Sequence, residues 1–205
     1  MRMKLAGWLM AVGLLSSCAS SPAVRFYTLS EVAGGGSAAA VSAPAGASNS
    51  ASDVVPIRVA KVGLPSELDR SQLVRRMDAN RLQIEDLDRW AAPLDEMILR
   101  VLWADLAARL PPNTMANAAA PATNQPTRML SVELQEFSGD SNCAVTLRGA
   151  WTLKSPRQPA AGSDLQGVVN TQVPSSGSCS VGTLPAAMSQ AIGQMSDSIA
   201  AAIAH

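Results

Sequence analysis

Two runs of alternating residues do most to limit what this chain can become: "RMLSVELQEF", beginning at Arg128, and "CAVTLRGAWTL", beginning at Cys143. Leu130, Val132 and Leu134 share one parity in the first. Cys143, Val145, Leu147, Trp151 and Leu153 share one in the second, with Thr146, Arg148 and Lys154 on the other. A strand turns successive side chains to opposite faces, so each run has an apolar face and a polar one. The intervening "SGDSN" supplies turn chemistry, and the pair predicts an antiparallel hairpin. A lone hairpin is marginal in water, so its apolar face requires more strands and a covering layer.

Further strands are expected in "VRFYTL" (24–29), "VVPIRVAKVGLP" (54–65), "NRLQIED" (80–86) and "LQGVVNTQV" (165–173). The period changes after Pro93, where Leu94, Ile98, Val101, Leu102, Leu106 and Leu110 recur at helical spacing up to Pro111 and Pro112. A second helix is expected from about 184 to 203, with Leu184, Met188, Ile192, Met195, Ile199 and Ile203 on one face, Thr183 as N-cap and Pro185 in the first turn. The sum is an α+β fold: a two-layer sandwich, with a mostly antiparallel sheet of about five strands and two helices on one face. Aromatics make up only 3% of the chain, so Leu, Val, Ile, Met and Ala must build the core.

Residues 33–53, "AGGGSAAAVSAPAGASNSASD", have too little apolar area to offset the entropy of ordering them. They are read as a long loop after a first strand at 24–29; the alternative is a strandless tether from Cys18 to residue 53. Residues 111–127 form a second polar, Pro-containing loop. At 205 residues one domain is the natural expectation, with its remainder over 54–205.

The N-terminus has its own logic. Arg2 and Lys4 precede an apolar run from Leu5 to Leu15, then small residues, then Cys18. That order predicts a signal peptide over residues 1–17, and the run is too short to span a bilayer. Leu15-Ser16-Ser17-Cys18 resembles the bacterial lipobox, which implies cleavage before Cys18 and acylation of it; an ordinary leader with an incidental cysteine is the alternative. Ala19 stands where an inner-membrane retention Asp would sit, so the lipoprotein sorting rule implies the outer membrane. Without the leader the chain has 14 basic and 16 acidic residues, near −2, and no basic field for nucleic acid.

Cys143 and Cys179 remain as a candidate disulfide in an oxidising compartment, the alternative being two separate thiols. Catalysis finds little to work with. The one histidine is His205, at the C-terminus, so a hydroxyl or thiol nucleophile lacks a base; no clustered metal ligands and no phosphate-binding loop occur. The acids of "IEDLD" (84–88) are expected to be solvated or to cap a helix.

The densest stretch runs from Val62 to Leu110. It holds Leu64-Pro65, Leu68-Asp69-Arg70, Gln72, Val74, Arg75, Asn80, Leu82 and Arg89-Trp90-Ala91-Ala92-Pro93-Leu94. This string resembles the signature of the PqiC-type ABC-transport auxiliary lipoproteins, and "FYTL" (26–29) and "LRGAWTL" (147–153) fit as well. Ser66-Glu67 and Ala92 depart from it. The resemblance implies a lipoprotein without catalytic residues or cofactors, partnered by an MCE-domain protein and inner-membrane transport components, moving lipid or another apolar solute between membranes. It allows a homo-oligomeric ring. A structural envelope lipoprotein is the alternative. Leu64, Pro65, Asp69, Arg70, Arg75, Asn80, Arg89 and Trp90 are its candidate partner-binding or fold-signature residues.

Overall fold

The expected hairpin is the spine of a seven-stranded sheet. The protein is described here by a computed structural model, covering residues 22–33, 55–116, 126–155, 164–175 and 177–204. In chain order the elements are β1 (Arg25–Tyr27), β2 (Ile57–Gly63), β3 (Gln72–Asp78), β4 (Arg81–Trp90), α1 (Leu94–Arg109), β5 (Arg128–Asp140), β6 (Val145–Lys154), β7 (Leu165–Val173) and α2 (Leu184–Ala204). The expected leader, Cys18 and residues 34–53 of the expected loop lie outside the described residues.

The sheet corrects the expected one in two respects. It has seven strands in place of about five, and it is mixed: β1 on β4, β2 on β5 and β3 on β5 are parallel, while β3–β4, β5–β6 and β6–β7 are antiparallel. β3 escapes the period-2 rule because "QLVRRMD" sets buried Leu73 beside buried Val74 and Arg75 beside Arg76, with register shifts near both ends. The parallel pairings come from one long strand. β5 has β6 on one side; on the other it pairs first with β2 and then, at Gly139 and Asp140, with β3.

β5 also continues through the expected turn. Ser138, Gly139 and Asp140 belong to the strand, and the reversal is made by Ser141, Asn142 and Cys143. The Asp140 carboxylate accepts hydrogen bonds from the Asn142 and Ala144 amides, and Cys143 takes the left-handed backbone, φ 61°, usual for the third residue of such a loop. A bulge at Gln135 keeps the apolar face continuous, so that Leu134 and Phe137 are both buried. Gly149 sits opposite this bulge, where a methyl group would stand 2.7 Å from the Glu133 carbonyl oxygen.

Both helices cover one face. Leu94, Met97, Ile98, Val101, Leu102 and Leu106 of α1 are buried, as are Leu184, Met188, Ile192, Met195 and Ile199 of α2. They meet Leu130, Val132, Val145, Leu147 and Leu153 of the central hairpin in one core. Each fully buried side chain of this kind contributes about 1.5–3 kcal/mol. Thr183 does not cap α2; it closes a one-turn 3-10 helix (Val181–Thr183), in which it and Ser180 exchange bonds as a capping box. Residues 28–33 cross the helix pair as a strap. Leu29 is buried, the Ser30 amide donates to Ser189 Oγ at 3.0 Å, and Gly193 leaves room for Val32.

Candidate functional site

The string from Leu64 to Leu94 folds into one corner of the sheet. β2 ends at Gly63 because Leu64-Pro65 leaves the ladder, and Pro65 opens a 3-10 turn (Ser66–Leu68) that buries Leu68. The chain then returns to the sheet as β3. Arg75 is almost enclosed; it pairs with Glu85 at 3.4 Å and donates to the Asp140 and Ser141 carbonyls, joining β3 to β4 and to the central turn. Asn80 lies at the exposed β3–β4 tip, its amide held by Asp78. Trp90 is 5% exposed, its amide donating to the Ser71 carbonyl at 2.7 Å, while the Ala91 amide donates to Tyr27 at 2.8 Å. Pro93 then fixes the start of α1, and its carbonyl receives the Met97 amide.

Asp69 and Arg70 are exposed on the near side of this corner and form no ion pair with each other among the described residues. They line a shallow depression of about 370 Å³ with Ser71, Trp90, Ala91, Ala92, Pro93 and Leu94. A second depression, of about 330 Å³, shares Ala91 and Ala92 and adds Thr28, Glu96, Met97 and Arg100. Ala92, where the PqiC-type pattern carries an acid, lies in both. The string therefore builds a continuous surface of small and apolar groups edged by Asp69, Arg70, Glu96 and Arg100. It offers contact area and rim charge.

Beside it lies a polar cluster that sequence reasoning missed. Asp88, expected to be solvated or capping, is 3% exposed. Arg25 grips it through two hydrogen bonds of 2.7 Å, and the Tyr27 hydroxyl donates to it at 2.8 Å. Hydrogen bonding from Arg25 holds its carboxyl below the usual aspartate range, outweighing desolvation; Tyr27 is pushed up by burial and by the neighbouring carboxylate. The parity of Arg25 and Tyr27 around exposed Phe26 was a visible signal, but no periodicity says which acid they would meet.

A second buried acid, Asp105, is 1% exposed. Its Oδ1 accepts from the Val32 amide at 2.9 Å and lies 3.7 Å from Arg109, which also holds Val32 and Asp197. Desolvation raises its pKa above the ordinary value. The strap is thereby fastened to both helices. Cys143 and Cys179 form a disulfide, with Cα atoms 5.3 Å apart, tying the β5–β6 turn to the approach to α2. Among the described residues no group of three or more His, Cys, Asp or Glu could hold a metal, and no helix is long and apolar enough to cross a membrane.

Comparison with known proteins agrees with this geometry. The family model described as "ABC-type transport auxiliary lipoprotein component" matches residues 37–200. No curated protein matches. Among solved structures, an uncharacterized protein superposes with a TM-score of 0.68 at 19% identity, covering 88% of this chain and 98% of its own. A Xanthomonas campestris protein of the DUF330 family superposes at 0.58 and 17% identity, covering 86% and 93%. At such identities these two share the fold.

Proposed function

Since the chain belongs to the ABC-type transport auxiliary lipoprotein family, we propose that it is a non-catalytic lipoprotein subunit of an MCE-linked transport system, carrying lipids or other apolar solutes between the inner and outer membranes. Residues 1–17 are its leader and Cys18 its acylated anchor; Ala19 directs it to the outer membrane, where it faces the periplasm. Several acyl chains on one residue meet the two-signal requirement for stable anchoring. Energy for transport comes from the inner-membrane components. The subunit supplies a docking surface at the outer-membrane end.

The observation that carries this reading is the continuous surface at the sheet corner, made by the part of the sequence that carries the family resemblance. Conformationally fixed contact area edged by charge suits docking. The test is a pull-down of the acylated protein from envelope extracts, with proteins and lipids identified. Recovery of an MCE-domain protein, lost on Arg70→Glu or Ala92→Arg, is the expected result. Recovery of the mature protein alone, with no lipid-transport defect on deletion, would overturn the reading.

A further inference from the structure

Among the described residues, no helix covers the sheet face opposite α1 and α2. Five of the seven large hydrophobic side chains exposed among the described residues point from it: Phe26, Leu82, Ile84, Met129 and Val168, of which Phe26 is 66% and Val168 85% exposed. The register places them there. Phe26 is flanked by Arg25 and Tyr27, which turn inward to Asp88; Val168 lies opposite Ala150 and next to buried Val169; Ile84 pairs with Val74 and Leu82 with Arg76.

The same face is cationic. Arg76 and Arg148 both bind Glu136, Arg89 stands opposite Phe26 with no ion pair among the described residues, and Lys154 is exposed at the end of β6. Lys61 and Glu133 cancel. Among side chains whose face the register settles, five cations, Arg58, Arg76, Arg89, Arg148 and Lys154, stand against two remaining acids, Glu136 and Asp140. Six adjacent strands spread this mixture over about 24 Å.

We infer that this sheet face lies against the anionic phospholipid headgroups of the bilayer that holds the protein, with Phe26 and Ile84 entering the interface. The inference rests on Cys18 being the acyl anchor. Phe26 lies eight positions after Cys18, so the chain places its Cα within about 29 Å of the acylated residue. Charge decides between occupants. A second copy docked face to face would set cations against cations, whereas phosphate complements them, and a basic surface carrying aromatic and aliphatic side chains is suited to the interface.

The test uses the full chain with its leader, expressed in cells, with a benzophenone amino acid at position 26, 84 or 168 and, as controls, at exposed helix positions 107 and 190. Phospholipid adducts concentrated at the three sheet positions are expected. Arg89→Gln, checked by an unchanged melting curve, lowers the adduct at position 84 by roughly fivefold, the order for one basic residue near an anionic surface. Protein adducts in place of lipid at the sheet positions, or lipid adducts equally strong at 107 and 190, would overturn the inference. The mass of the mature N-terminal peptide reads Cys18 separately. An unacylated Cys18 defeats the anchor reading, whereas an acylated Cys18 with lipid adducts on the helix side defeats only this one.

Discussion

At the scale of single residues, the structure depends on one buried, multiply bonded carboxylate and on one glycine. Asp88 accepts three hydrogen bonds while almost sealed from water, so Asp88→Asn removes the charge that both Arg25 contacts exploit. Unfolding in urea should show a loss of about 2–3 kcal/mol, the range for hydrogen bonds to a charged group, with an unchanged slope. Gly149 is constrained by backbone: a methyl group there meets the Glu133 carbonyl at 2.7 Å, which a side-chain rotation cannot relieve. Gly149→Ala should therefore cost roughly 2 kcal/mol, read from the same transition. Trp90, whose size and position ahead of α1 suit a packing anchor, is used that way: it is buried in the core and leaves only an edge in the depression.

At the scale of elements, the disulfide joins two segments that the ladder leaves apart, closing a sequence separation of 36 residues. Replacing both cysteines by serine should lower stability by about 4 kcal/mol on the chain-entropy account, and hydrogen exchange should rise first at residues 177–184. Both helices and the central hairpin were legible from the sequence because each has one uncovered period: four- and three-residue steps in α2, strict alternation in β6. The mixed sheet was not. Parallel pairing of β2 and β3 with β5 leaves no local mark, since partners lie tens of residues apart and no short turn joins them. β3 carries its own obstacle, two adjacent buried residues followed by two arginines that answer to opposite faces, Arg75 to Glu85 and Arg76 to Glu136. The candidate surface was legible as a string of residues and not as a shape, because the depression forms only when the turn after Pro65 returns beside Trp90.

At the scale of the whole molecule, the two buried aspartates set opposing responses to acid. Asp88, with a lowered folded pKa, contributes stability that is present above the unfolded value of 3.8 and is lost as pH falls through the folded one. Asp105, with a raised folded pKa, binds protons more tightly folded than unfolded, so it adds stability as pH falls through the window just above 3.8. Asp105→Asn should flatten that upper window in a stability-against-pH series while leaving the acid limb below 3.8; an unchanged curve would remove Asp105 from the account. The Arg25–Asp88–Tyr27 cluster also has a mechanical consequence. β1 is three residues long, lies at the sheet edge, and is the described strand nearest the N-terminus. Any tension transmitted along the chain from residue 22 enters the fold at Arg25, the first residue of that strand and the one that grips Asp88. A short edge strand by itself would peel under load, so resistance to force begins at that guanidinium–carboxylate junction, and a single-molecule pull from the N-terminus should register its rupture as the first event.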